Sequence, residues 1–432
     1  MTTNPIARLV PLLLTLAASL AVAPCTADDA APIFAVVSAA TLQSSPLRDL
    51  PAQPRQDSLG TPLRLIEIDL DQRDLLTRHV HEQEGRCGGY FAFDSRAAAE
   101  AFLAGERSLQ ALLRPDAISY VIDNSDTILP WLPQVEADNL YATMAHLSSY
   151  QNRYYDSPHG LAAAEWIRDQ WAALGQGRAD VGTELFTGCT TCSTQPTVVL
   201  TVTGNELADE VVVVGAHLDS IRSGAGSNTQ QFAPGADDDA SGIAVITETL
   251  RIALDNGWRP QRTIKFMGYA AEEVGLRGSN AIAARFAADG VNVVGVLQLD
   301  MTNYRNGVPF HLHFISDYVN APLLAFAKSL FDAYLAPLGL VRRDLACGYA
   351  CSDHASWTSN GFPSVMASEP GDVNYRFFPG LHTANDTLAT VGDNANASVP
   401  FVQFALAFIG EMAKTSSGDP TRIHHNGFEA AP

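Results

Sequence analysis

Basic residues are scarce in this chain. Among 432 residues, 27 lysines and arginines stand against 47 aspartates and glutamates, a formal net charge of −20. A surface of that sign argues against nucleic acid or anionic membrane as a partner. Beyond the opening residues, the chain has no uninterrupted run of 18 apolar residues. That leaves no candidate for a membrane-spanning helix in the mature protein. Repeats and low-complexity tracts are absent, which excludes repeat architectures. Cysteine is sparse, at six. Cys189 and Cys192 in "CTTC", and Cys347 and Cys351 in "CGYAC", lie close enough to close two small loops in an oxidising compartment. The alternative is a zinc site of four thiolates, but the two pairs share no spacing typical of one. Cys87, in "GRCGG", has no evident partner.

What is present is ample material for a core, with 47% hydrophobic and 17% charged residues. Arg8 precedes the apolar stretch "LVPLLLTLAASLAVA", which is too short to span a membrane comfortably. Residues 1–27 are therefore expected to be an export signal cut after Ala27, removing Cys25. Pro24 disfavours both a cut after Ala23 and lipid modification of Cys25. The mature chain is expected to be secreted, to an extracellular or periplasmic space. Residues 28–125 differ in character from the rest of the chain: a Pro-rich, turn-rich start, an alternating strand "LRLIEIDL" and a helical "SRAAAEAFLAGERSLQALL". They predict a small α+β pro-region, with a permanent N-terminal domain as the alternative. Residues 416–432 read as a tail.

From residue 126 to 415, strand and helix patterns alternate. "EVVVVGAHLDS" is nearly continuous in valine, as in a strand buried on both faces. "SGIAVITETLRIALDNG" is a helix, "TIKFMGYAAEE" a strand, and "VVGVLQLDM" another. This predicts an α/β fold, a mainly parallel central sheet flanked by helices. In such sheets ligands bind beyond the carboxyl ends of the strands. His217 and Asp219 follow one strand, Glu272 and Glu273 a second, and Asp300 a third. "GADDDASG" brings Asp237, Asp238 and Asp239 to the same edge, at a helix N-terminus. A helix dipole favours a carboxylate by only about 0.3–1 kcal/mol, too little to keep five or six converging acids ionised. A pair of divalent cations would. Imidazole and carboxylate without thiolate suit zinc, with manganese or cobalt as substitutes. A two-metal hydrolytic site needs a bridging carboxylate and one free carboxylate to take a proton from water. The adjacent Glu272 and Glu273 can divide ligand and base between them.

Singly, each residue has a plainer reading. His217 could be a core histidine, Asp238 a helix cap, the glutamate pair solvated and His382 a loop residue. Asp237 and Asp239 read as capping or solvated. The constellation reverses those readings for the others. His354 reads as structural or as a support for a metal ligand, and His311, His313, His424 and His425 as bystanders.

"GAHLDS", "PGADDDASG", "YAAEEVGLRGS", "LQLDMTNY", "CGYACSDHASW" and "LHTANDT" occur in the order found in secreted zinc aminopeptidases of the M28 family. The chain resembles that family, and especially bacterial leucyl aminopeptidases of the Vibrio type, from about residue 130 to 415. The resemblance implies that His217 and Asp300 bind one zinc, Glu273 and His382 the other, and that Asp238 bridges them. It implies Glu272 as general base and acid, Asp219 as the residue orienting His217, and Tyr349 as an oxyanion donor. It further implies a Cys347–Cys351 disulfide that fixes Tyr349, a cis peptide between Asp238 and Asp239, and a free substrate amine drawn to Asp300 and Glu273. Met301, Ile315, Met366 and Tyr375 would line an apolar pocket preferring leucine, although the stretch from Met366 to His382 departs from the family pattern. The implied substrates are peptides with a free N-terminus, cleaved by a monomer. Rival readings are a glutaminyl cyclase with one zinc, an N-acyl hydrolase or carboxypeptidase of the wider clan, and an inactive binding module. The complete ligand set argues against the last.

Overall fold

The computed structural model describes Met1 and residues 32–57, 60–84, 88–112, 120–226, 229–348, 350–372 and 377–418. The expected signal peptide, Cys25, Cys87, Tyr349, Tyr375, His424 and His425 lie outside the described residues. Pro32 onward forms one compact unit built of two layers.

The first layer is an antiparallel sheet of β1 (Ile33–Ser38), β2 (Ala52–Gln56), β3 (Pro62–Ile68) and β4 (Tyr90–Phe93), in the order β2-β3-β1-β4. It carries α1 (Ala39–Ser44), α2 (Leu70–Arg78) and α3 (Arg96–Leu112). Alternation along β1 decides its two faces. Ile33, Ala35 and Val37 pack with Leu42 and Leu76 of α1 and α2. Phe34 and Val36 pack with Ala99 and Leu103 of α3, in a cluster that also takes in Leu276, Tyr318, Ala350 and Ala355 of the second layer. Asp69 opens α2 with a reciprocal cap to Gln72. The helix then passes into a π-turn, His79–Gln83.

The second layer centres on an eight-stranded sheet. Its strands are β5 (Val181–Phe186), β6 (Thr197–Val202), β7 (Leu207–His217), β8 (Arg262–Tyr269), β9 (Asn292–Asp300), β11 (Leu312–Ile315), β12 (Arg342–Leu345) and β13 (Ser364–Ser368). A separate pair, β10 (Arg305–Asn306) and β14 (Gly371–Asp372), lies outside it. The order is β12-β11-β13-β9-β7-β8-β6-β5. The central run β13-β9-β7-β8 is parallel, and antiparallel pairings flank it on both sides. The valine run of β7 is buried on both faces as its composition predicts: Val212, Val214 and Ala216 join one cluster, Val211 and Val213 another.

Among the described residues, eight α-helices follow α3: α4 (Ser125–Ile128), α5 (Ala137–Ser148), α6 (Pro158–Leu174), α7 (Ala240–Asp255), α8 (Arg277–Ala288), α9 (Ala321–Leu330), α10 (His354–Ser359) and α11 (Val399–Ala413). Helix α11 is buried almost all round, as its near-total apolarity requires. Ile282 and Ala283 of α8 cover the opposite face with Trp357 of α10. Tyr120 donates to the Val294 carbonyl, and Asp123 and Asn124 donate backbone N–H groups to Glu411. Residues 120–124 therefore pack on β9 and α11 of the second layer. Both small disulfides, Cys189–Cys192 and Cys347–Cys351, are formed, which removes the four-thiolate alternative.

Candidate metal centre

The polar residues that the sequence places at strand ends meet at one rim. His217 ends β7, Glu272 and Glu273 follow β8, and Asp300 ends β9. Asp238 lies just before α7, and His382 arrives on a loop ahead of α11. The Asp238 carboxylate is the hinge of the arrangement. Its Oδ1 lies 2.9 Å from His217 Nε2, and its Oδ2 lies 3.0 Å from His382 Nε2. On the first side Asp300 Oδ1 is 3.7 Å from His217 Nε2, and on the second Glu273 Oε2 is 3.1 Å from His382 Nε2. The peptide between Asp238 and Asp239 is cis.

All of these groups are buried. His217, Glu272 and Asp300 are fully buried, and Asp238, Glu273 and His382 are within 3% of it. Yet both carboxylate oxygens of Asp238, Glu272, Glu273 and Asp300 lack a hydrogen-bond partner, as do both ring nitrogens of His217 and His382. Buried polar atoms are ordinarily paired, and each orphan costs roughly 1–3 kcal/mol. Such a concentration of orphans fits a cation site. The donor chemistry fits too: imidazole nitrogen and carboxylate oxygen, without thiolate.

The electrostatics agree. Burial, aggravated by Asp238, pushes the Glu273 carboxyl up to about 7. Burial holds the Glu272 carboxyl well above its usual range. Burial works against a charged His382, but Glu273 and Asp238 together raise it to about 10. Against the same burial, Asp300 and Asp219 hold His217 well above the ordinary imidazole range. The rim thus retains protons where a divalent ion would replace them.

Around this cluster stands a frame of acids that accept backbone N–H groups. Asp219 accepts the backbone N–H groups of Glu272 and Glu273 and sets Oδ1 3.5 Å from His217 Nδ1. The carboxylate therefore holds the glutamate pair more closely than the imidazole. Asp239 caps α7 through Gly242 and also accepts from the backbones of His217 and Met301. Asp237 accepts from Asn303 N–H, and burial together with Asp237 holds the Glu369 carboxyl well above its usual range. The alternative of solvation for Asp237 and Asp239 is thereby corrected: both are fully buried, and backbone donors take the place of water.

Several members of the frame carry no sequence signal of their role. Asp386 grips the backbone N–H groups of Asp237 and Asp238 with its two oxygens. The guanidinium of Arg153, buried, donates to the carbonyls of Leu147, Leu218, Pro234 and Gly235. Burial raises the Asp353 carboxyl to about 7 behind the site. The largest omission is His81, which comes from the π-turn of the first layer and stacks on the His382 ring at 3.8 Å. Among the described residues, one donor atom each from His81, Glu273 and His382 falls within 4.8 Å of the others.

The candidate pocket residues are partly assembled. Ile315 and Met366 pack with Cys351 beside the Cys347–Cys351 loop. Met301 lies buried at the end of β9 with φ 52°, and His382 (φ 53°) and Ala271 (φ 53°) are likewise left-handed. Left-handed non-glycine residues gather where surrounding structure over-determines the backbone. Among the described residues, His354 and His311 bond outside the cluster: His354 Nε2 contacts the Asp317 carbonyl at 3.0 Å, and His311 Nδ1 accepts from Val341.

With this geometry in hand, relatives are informative. The profile of Peptidase family M28 matches residues 197–407. Leucine aminopeptidase 1 of Arthroderma otae is 35% identical over 317 residues, covering 70% of this chain and 82% of that one. Among solved structures, LapB from Legionella pneumophila aligns with a TM-score of 0.73 at 30% identity, covering 88% of this chain and 99% of that one. LapA aminopeptidase of the same organism aligns at 0.72 and 26%, covering 89% and 98%. These relatives carry the family, while a special likeness to the Vibrio type rests on the motifs alone. The chain belongs to peptidase family M28.

Proposed function

We propose that this protein is a secreted metallo-aminopeptidase with two zinc ions, which removes N-terminal residues from peptides and prefers leucine or another large apolar side chain. One observation carries the reading: the two oxygens of Asp238 each lie about 3 Å from a different imidazole, the arrangement of a carboxylate shared by two cations. His217 and Asp300 would hold one ion, and Glu273 and His382 the other. When bound, such ions polarise the scissile carbonyl and acidify a water.

The remaining work falls to the chain. Glu272, unpartnered and with its carboxyl held high by burial, takes a proton at its carboxylate and returns it to the leaving amine. Asp219 positions that carboxylate by gripping the Glu272 and Glu273 backbone. Asp300 and Glu273 present negative charge to the substrate's free ammonium. Tyr349 is assigned the oxyanion. Ile315 and Met366, with Met301 and Tyr375, are assigned the apolar side-chain pocket. Export is supported by two disulfides and by the absence, among the described residues, of any helix long and apolar enough to cross a membrane. Residues 28–125 are assigned the role of a removable pro-region.

Leucine p-nitroanilide and its N-blocked form separate the readings. They should be assayed with the chain as purified and after limited proteolysis that frees the first layer, with and without chelator. Turnover of the free-amine substrate alone, abolished by chelator, is expected. Turnover of the blocked form would favour an N-acyl hydrolase, and a single zinc per chain by elemental analysis would favour a glutaminyl cyclase.

A further inference from the structure

His81 is the one residue of the first layer that reaches the metal-holding cluster with an imidazole. It is buried, and neither ring nitrogen has a hydrogen-bond partner. Its Nε2 lies 3.9 Å from Glu273 Oε2, and its ring lies flat against His382. The backbone that delivers it is unusual: helix α2 widens into a π-turn at His79–Gln83, and π-turns inside helices recur at functional sites. That turn is also braced. Glu84, just after it, accepts from Thr41 and Ser44 of α1. A little further on, the same layer covers the other half of the site. A Cβ added at Gly88 would meet Glu272 Oε1 at 3.1 Å, and Gly89 N–H donates to the Ala350 carbonyl. A plain packing histidine would be expected to pair at least one ring nitrogen with a carbonyl, as His354 does through Nε2. Neither nitrogen of His81 is hydrogen-bonded, and the ring lies against the two groups assigned to one ion.

We infer that His81 is a further nitrogen ligand of the ion held by Glu273 and His382, supplied by the first layer in the position a substrate must occupy, so that the layer keeps the centre latent while it is attached. The inference rests on the two-ion reading above and specifies how its pro-region acts. Gly88 adds steric cover over Glu272, so substrate access requires the layer to leave as a unit. His81 adds chemical specificity, because a nitrogen ligand makes docking of the layer and loading of that ion mutually supportive.

The test uses the full chain loaded with zinc, and separately with cobalt, as wild type and as His81→Phe and His81→Gln. Phenylalanine preserves the ring stack on His382 without a nitrogen, and glutamine keeps a polar group there. X-ray absorption at the zinc edge should find three imidazoles shared by two ions in the wild type (His217, His382, His81) and two in either variant. The cobalt visible spectrum should change in parallel. Loss of metal to a chelator should quicken by about tenfold or more in the variants, since even outer partners of a metal site tune affinity by 10–100-fold. An unchanged imidazole count and cobalt spectrum in folded His81→Phe would overturn the ligand while leaving the two-ion centre intact. A wild-type chain that takes up no metal would overturn the centre itself, and the ligand with it.

Discussion

Two sets of buried acids share one rim of the sheet and live in opposite surroundings. Asp219, Asp239 and Asp386 each accept at least two backbone N–H groups. Asp238, Glu272, Glu273 and Asp300 accept none through their side chains. Burial alone cannot explain the contrast, because all seven are buried alike. The first set has the partners folding normally supplies to a carboxylate. The second set has been withheld from backbone donors; Asp238 and Glu273 face the imidazoles of His217 and His382, an arrangement suited to a shared cation. A dense acidic motif such as "GADDDASG" therefore mixes two jobs at adjacent positions: Asp237 and Asp239 build the frame, and Asp238 faces the centre.

The sharpest way to break this contrast is Asp238→Ala. It should remove metal from both halves of the site, and with it all measurable hydrolysis. Elemental analysis finding full metal content in the folded variant would erase the distinction. Next in size, Glu272→Gln should keep its metal but lower kcat by about 10²–10⁴-fold. Equal loss of metal would make Glu272 a ligand and not a proton carrier. A frame residue should behave differently again. Asp386→Asn leaves one of two backbone N–H groups without its acceptor and should weaken metal binding by about 10–100-fold without abolishing it. Competition with a chromogenic chelator measures that loss.

The smallest expected effect lies outside the rim. Burial holds the His354 imidazole down to about 4. A depressed histidine stabilises the fold above the ordinary value near 6.5, and that stability is lost as pH falls through about 4. The shift corresponds to about 3 kcal/mol. Urea unfolding between pH 7 and 4 should show that slope in the wild type, and His354→Gln should flatten it. An identical slope in both would place the acid sensitivity elsewhere.

Much of the fold and the site is legible in the sequence, for physical reasons. The valines of β7 announce a strand buried on both faces, and acids at the ends of β7, β8 and β9 converge because parallel strands deliver their carboxyl ends to one edge. The two short cysteine pairs are local, so they too can be read. The frame is less legible, since Asp386 and Arg153 act on backbone groups, and any sequence offers those. Asp237 and Asp239 pass for solvated residues because a carboxylate bound by buried N–H groups looks, in sequence, like one bound by water. His81 gives no signal. Its meaning depends on a layer 136 residues upstream of His217 docking on the rim, and only tertiary packing brings it there.

The guanidinium of Arg153 has one further consequence. It ties four carbonyls from three stretches of chain into a single knot beneath the rim. The loops bearing His217 and Asp238 are thus clamped before any divalent ion arrives. Emptying and refilling the centre should leave their backbone trace unmoved, so that exchange of one metal for another is a matter of coordination preference and not of remodelling.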